Sequence, residues 1–199
     1  MIEVEKKFTL GEKDEKRLLK DAEFLSEKTF TDVYYDTEQF FLTSRDIWLR
    51  SREGMFELKL PLHNGTKRRA DQYEEITDER QIRNRLHLNS NNAIEDALDR
   101  ASYMPFCVCK TTRRKHKKGN FTIDIDLANF HDFTYGIAEI ELVVSDKHEV
   151  ESAVEKITHF AKAHNLTLKP VTGKIIEFLR QRRQPHYQKL VESGVVEDF

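Results

Sequence analysis

The sequence predicts an α+β fold in which about eight strands form an antiparallel barrel or a strongly curved sheet, with helices against its apolar side. Three observations carry this. Segments along the whole chain alternate apolar and polar residues with the two-residue period of a strand. Amphipathic helical stretches lie between them and need an apolar surface to cover. The polar faces repeat one sign of charge, as in Glu3 with Glu5, Arg50 with Arg52, Asp124 with Asp126 and Glu139 with Glu141. A wet face explains any one of these strands equally well. Together they do not read as solvated surface, because like charges at neighbouring positions are destabilising and solvated faces usually mix signs. Counter-charges across a lumen would resolve the conflict.

The chain begins with Ile2-Glu3-Val4-Glu5-Lys6-Lys7-Phe8, a strand with Glu3, Glu5 and Lys7 on one face and Ile2, Val4 and Phe8 on the other. Two such carboxylates stand roughly 7 Å apart, close enough to share a divalent cation. Leu18, Leu19, Ala22 and Leu25 predict a helix from Glu12 to Leu25. Thr29 to Asp36 is β-branched and aromatic and reads as a strand, with Asp32, Tyr34 and Asp36 sharing a face, and a short helical turn over Glu38 to Ser44 follows. Ile47 to Glu53 and Met55 to Pro61 form a hairpin about Gly54. Its first strand sets Trp48, Arg50 and Arg52 together and its second sets Glu57 with Lys59.

A polar loop with Asn64-Gly65 is expected over 63–69, then a strand over Asp71 to Thr77 with Tyr73 and Glu75 in register. Helices follow at about 78–89 and 91–101. Phe106 to Lys115 and Phe121 to Leu127 make a second hairpin, and Ile137 to Val144 is the last strand. Helices over Glu149 to His164, over Gly173 to Arg183 and from Pro185 complete the chain, which reads as one domain over 1–199. The helices from about 173 are expected to cap one end of the tunnel.

With 33 basic and 35 acidic residues the net charge is only -2, which argues against a nucleic-acid binder held by bulk positive charge. Cys107 and Cys109 lie two apart and point the same way, so no disulfide framework is expected. No apolar run approaches the ~20 residues of a membrane span. A cytoplasmic monomer is the expectation.

The charges assigned to the lumen balance. Glu3, Glu5, Glu75, Asp124, Glu139 and Glu141 face Lys7, Arg50, Arg52, Lys59, Arg113 and Lys174. A ligand should then be neutral overall and internally divided, such as a polyanion travelling with a divalent metal. A phosphate chain with Mg²⁺ or Mn²⁺ fits, since Arg and Lys take phosphate oxygens and carboxylates hold a hard cation.

The Glu3-Val4-Glu5-Lys6-Lys7 segment resembles the Glu-x-Glu-x-Lys signature of the CYTH, or triphosphate tunnel metalloenzyme, family. Tyr34-Tyr35-Asp36-Thr37, Trp48-Leu49-Arg50-Ser51-Arg52-Glu53, Glu57-Leu58-Lys59 and Pro185-His186-Tyr187-Gln188-Lys189-Leu190 extend the likeness over nearly the whole chain, and are most similar to the family's thiamine-phosphate branch. The resemblance implies an eight-stranded antiparallel closed β-barrel, a tunnel with a charged lumen and helices packed outside, that hydrolyses the terminal phosphoanhydride of a triphosphate with a divalent metal. It implies metal ligands at Glu3, Glu5, Asp124, Glu139 and Glu141, and phosphate contacts at Lys7, Arg50, Arg52, Lys59, Arg113 and Lys174. Glu75 matches a supporting acidic position. In Lys110-Thr111-Thr112-Arg113-Arg114-Lys115 the strand parity favours Arg113, while Lys110 or Arg114 could take the same role.

Within this reading Lys59 or Lys174, its pKa depressed by basic neighbours, orients or deprotonates the attacking water; equally, both could only bind phosphate. Trp48 shares the parity of the lumen arginines and could stack on a cationic thiazolium, with Tyr34 as a second contact, or could be a structural Trp at the tunnel mouth. Cation-π attraction of about 0.5–2 kcal/mol does not exclude inorganic tripolyphosphate as the substrate. The same residues also admit a nucleoside triphosphatase, an adenylyl cyclase as found in the wider family, and a catalytically silent module binding polyphosphate or RNA through the run Lys110 to Lys118.

Overall fold

The computed structural model describes residues 2–62, 71–88 and 92–197. Alternation in the sequence becomes eight strands: β1 (Ile2–Phe8), β2 (Glu23–Asp36), β3 (Trp48–Arg52), β4 (Met55–Pro61), β5 (Asp71–Ile76), β6 (Met104–Lys118), β7 (Phe121–Asn129) and β8 (Thr134–Val144). They close into a barrel in the order β1-β5-β4-β3-β2-β6-β7-β8. All neighbours are antiparallel. Closure leaves the sheet no unpaired edge. The polar loop expected over 63–69 lies outside the described residues.

The outward apolar faces of β1, β3, β4, β5 and β8 are largely covered by helices, whereas Val108 of β6 and Leu127 of β7 stay exposed. Ile2, Val4 and Phe8 of β1 join Ile123 and Ile140 beneath α4 (Val150–Ala163), whose Val154, Ile157 and Ala161 are buried against them. Leu49, Leu58 and Ile76 form a second cluster with Ile82 of α2 (Glu79–Arg85) and Ile94 and Leu98 of α3 (Ile94–Arg100). Burying each such side chain is worth about 1.5–3 kcal/mol. A third cluster brings Ile175 and Leu179 of α5 (Lys174–Arg182) and Tyr187 and Leu190 of α6 (Gln184–Glu192) onto Tyr34, Trp48, Cys107 and Cys109. Both cysteines are free and buried.

Two expected elements are corrected. The helix expected from Glu12 to Leu25 is α1 (Glu12–Leu19) only. Asp21 adopts a left-handed φ of 61°, which turns the chain, and β2 has begun by Glu23. Leu25 is 45% exposed, so its helical spacing from Leu18 is coincidental. The turn expected at Glu38 to Ser44 is a single 3-10 turn over Thr43–Arg45. The Asp36 carboxylate builds this corner by accepting from the backbone N–H groups of Thr37, Leu42 and Thr43 at 2.7, 2.9 and 2.8 Å.

Candidate active site in the barrel lumen

Inward-facing residues of the strands line a cavity of about 720 Å³. Every lumen residue expected from the sequence lines it except Asp124, which is fully buried in the adjoining wall.

One wall is acidic because β1 and β8 set their carboxylates side by side: Glu5 is opposite Glu141, and Asp124 of β7 is opposite Glu139. Two trios result, Glu3 with Glu5 and Glu141, and Asp124 with Glu139 and Glu141, each offering oxygens within 4.8 Å of one another. Burial, with Glu5 and Glu75 adding repulsion against the pull of Lys59, pushes the Glu3 carboxyl up to about 8. Burial and the charges of Glu3, Asp124 and Glu139 push Glu141 up to about 9. Glu139 is buried too, yet Arg113 and Lys7 hold it down at about 2. Asp124 is fully buried, and its Oδ2 pairs with Arg113 and, at 3.1 Å, with Lys115. Clustered, hard oxygen donors, two of them with carboxyls pushed up by burial and by their acidic neighbours, fit a divalent cation of the Mg²⁺ or Mn²⁺ type.

The cations face this wall, each steadied by acid. Arg52 makes a two-pronged pair with Asp32 at 2.7 and 2.9 Å. Arg50 reaches Glu57 at 2.7 Å. Arg113 forks onto Asp126 at 2.6 and 2.7 Å and donates to Glu139 at 2.8 Å. Lys174 donates to Asp126 at 2.9 Å from the first turn of α5. Lys59 pairs with Glu75 and lies 3.5 Å from Glu3, while Lys7 pairs with Glu5 and Asp71. Glu75 thus contacts both Lys59 and Glu3, a member of one acidic trio.

Two expectations change here. A depressed lysine pKa does not occur: burial alone would lower Lys59 and Lys174, but Glu5 and Glu3 beside the first and Asp126 beside the second outweigh it and push both up. The six-against-six charge balance also fails. Asp32, Glu57, Asp71 and Asp126 join the acidic side through the ion pairs above, whereas Lys115, 3.1 Å from Asp124, joins the basic side, and Lys6 and Lys169 also line the cavity. With every carboxyl ionised the acidic wall would carry surplus negative charge, which the raised Glu3 and Glu141 carboxyls relieve by holding protons.

Sequence reasoning leaves Asp32, Glu57, Asp71, Asp126 and Lys115 out of the site, although each lies two positions from a residue it includes or at the start of the same strand. Of the basic residues in the 110–115 run, Arg113 and Lys115 enter the lumen. Lys110 is exposed, and Arg114 pairs outside with Glu15 at 2.9 Å. Lys118 donates to the carbonyls of Leu18 and Lys20 at 2.9 and 2.7 Å, closing the end of α1. Most of the run's charge is therefore occupied by the protein itself, which removes the basic patch an RNA-binding module would need.

At one side of the cavity lie the aromatic residues Tyr34, Trp48 and Tyr73 with Ile175, Ile176, Val195 and Val196. Trp48 is directly across from Lys59 on the neighbouring strand. Burial raises the Tyr34 phenol, with Arg50 opposing, so it stays protonated.

Comparison with known proteins agrees with this geometry. The sequence model of the CYTH domain matches residues 1–172. The thiamine-triphosphatases of Macaca fascicularis and Homo sapiens are each 30% identical over 210 residues, covering 96% of this chain and 90% of theirs. Among solved structures, the PH1819 protein of Pyrococcus horikoshii superposes with a TM-score of 0.65 at 19% identity, over 90% of this chain and 99% of that one. HpAC1 from Hippeastrum, a putative adenylyl cyclase described as having a dominant triphosphatase activity, gives 0.55 at 14% identity, over 93% and 98%. These two likenesses concern the fold.

Proposed function

This chain belongs to the CYTH domain family, and from that premise we propose that it hydrolyses the terminal phosphoanhydride of thiamine triphosphate, giving thiamine diphosphate and phosphate, with Mg²⁺ or Mn²⁺ bound. The observation that carries the reading is the pair of carboxylate trios sharing Glu141, facing a row of half-buried arginines and lysines across one lumen. Kinship at 30% identity with thiamine-triphosphatases over almost the whole chain supports the substrate.

In this reading Glu3, Glu5, Asp124, Glu139 and Glu141 hold the metal. The bound metal supplies positive charge to the phosphate oxygens and acidity to water. Lys7, Arg50, Arg52, Arg113 and Lys174 take oxygens of the phosphate chain, and Lys115 is added to them on its position beside Asp124. Phosphoryl transfer needs positioning and charge stabilisation more than covalent help. Lys59 and Lys174, both held protonated by carboxylates, serve as cations toward the transferred phosphoryl rather than as bases. Helices α5 and α6 close one end of the tunnel over 173–192. The free, buried cysteines favour a reducing compartment such as the cytoplasm. No helix among the described residues is long and apolar enough to cross a membrane.

Trp48 and Tyr34 contact the organic group. The second reading, an inorganic tripolyphosphatase, is favoured by the polar machinery itself, all of which addresses phosphate. Phosphate release from both substrates, with Mg²⁺ and with Mn²⁺, separates the two. Trp48→Ala is expected to lower kcat/KM for thiamine triphosphate by roughly 2- to 30-fold more than for tripolyphosphate. An equal loss for both would remove the stacking role, and no metal-dependent release from either would remove the hydrolase reading.

A further inference from the structure

Asp46 is a buried carboxylate that the phosphate and metal machinery does not use; it is 5% exposed. It closes the 3-10 turn before β3 in the left-handed conformation, with φ 59°. One of its oxygens, Oδ1, accepts from two aromatic donors at once: the indole Nε1–H of Trp48 at 2.8 Å and the phenol O–H of Tyr73 at 2.8 Å. These rings come from β3 and β5, which are not neighbours, since β4 runs between them. Both line the catalytic cavity. A residue placed only to make a turn has no need to join two lumen rings from separate strands.

The consequence is chemical. With the N–H and O–H both engaged by Asp46, the hydrogen-bonding atoms of the two rings are occupied, and their carbon surfaces are what remain for the cavity. Such ring faces attract a cation through their quadrupole. Lys59 marks where such a cation would begin. It is the cross-strand partner of Trp48, and its Nζ lies 5.9 Å from the centre of the Tyr73 ring. The rings line the same cavity as the phosphate-facing cations, so the organic end of a triphosphate bound there has an aromatic surface to rest on.

We propose that Asp46 is a positioning and specificity residue: through Trp48 and Tyr73 it fixes an aromatic surface that selects a cationic heteroaromatic group on the substrate over a bare phosphate terminus. The proposal rests on the triphosphatase reading above and deepens it.

The test compares Asp46→Gly with Asp46→Asn. Both residues accept a left-handed backbone, so the turn is kept. Glycine removes the acceptor, whereas asparagine restores an oxygen in the same place. Two readouts apply. The first is the ratio of kcat/KM for thiamine triphosphate to that for tripolyphosphate. The second is the emission of Trp48, the only tryptophan of the chain, titrated with thiamine diphosphate.

Asp46→Gly is expected to lower the ratio by roughly 2- to 30-fold and to abolish the response of Trp48 to thiamine diphosphate. Asp46→Asn should recover most of both. Tyr73→Phe removes one donor without touching the turn, and should fall between; it decides the matter if Asp46→Gly does not fold. An unchanged ratio in Asp46→Gly, or an Asp46→Asn as impaired as Asp46→Gly, would overturn the positioning role. Should the wild-type protein cleave only tripolyphosphate, the substrate reading fails by itself. The proposal then stands if thiamine diphosphate perturbs Trp48 in the wild type and not in Asp46→Gly, and falls if it perturbs neither.

Discussion

Glu141 is the one carboxylate common to both acidic trios, and its burial together with three acidic neighbours pushes it up to about 9. Glu141→Gln keeps its size and removes its charge. It should cut activity by more than ~100-fold at metal concentrations that saturate the wild type, because both trios lose a charged donor. The same change should leave the metal-free protein at least as stable, since a glutamine imposes no ionisation penalty in that position. Thermal melts in EDTA beside metal titrations of activity would check this; a large drop in melting temperature with unchanged metal dependence would contradict it. Lys59 allows a second residue-level test. Its neighbours Glu5 and Glu3 keep it charged, so Lys59→Arg, a permanent cation, should retain kcat within about tenfold. A lysine acting as a base would lose the roughly 10²- to 10⁴-fold contribution typical of such groups, and a collapse of that size in kcat would restore the base.

At the scale of elements, strand parity makes the lumen legible and chain topology makes the rest of it obscure. In β1, β3 and β8 the alternation alone places Glu3, Glu5, Arg50, Arg52, Glu139 and Glu141 in the cavity, because a two-residue period has only two faces. Parity does not say which strand lies opposite or beside which. β2 pairs with β6, and β1 with β5 and β8, so Asp32, Asp71 and Asp126 look like ordinary members of polar faces until their partners are known. Lys115 shares the parity of Arg113 and can be found by continuing β6 for one more repeat. The end of α1 is misplaced by sequence reading because Leu25 continues an apolar spacing that the left-handed turn at Asp21 interrupts. Asp46 carries no signal at all. Its function depends on bringing together side chains from β3 and β5, whose approach is a property of the closed barrel.

For the whole molecule, a closed barrel that faces its carboxylates inward would, with every carboxyl ionised, hold surplus negative charge in a confined space, and its stability should record this. Glu3 and Glu141 have carboxyls raised to about 8 and about 9, against an ordinary value of 4.5. Between those limits the native state binds more protons than the unfolded chain, so stability falls as pH rises. Glu75, held at about 2, against burial, by its hydrogen bond with Glu3 and by Lys59, and Glu139, held at about 2, against burial, by Arg113 and Lys7, act in the opposite sense. Their contribution is present above 4.5 and is lost as the solution is acidified towards 2. The metal-free protein should therefore be most stable in the mildly acidic range and weaken steadily toward about pH 9. A divalent cation competes with the protons on Glu3 and Glu141, so its apparent affinity should rise with pH, by about tenfold per unit for each proton displaced. Melting curves from about pH 5 to about pH 9 in EDTA and in excess Mg²⁺ provide the measurement. The two should approach each other at about pH 5 and separate progressively above about pH 7, the metal-bound protein holding its midpoint while the metal-free one declines. Parallel curves would mean that Glu3 and Glu141 do not exchange protons for metal, and would remove them from the metal site while leaving the barrel and its cations in place.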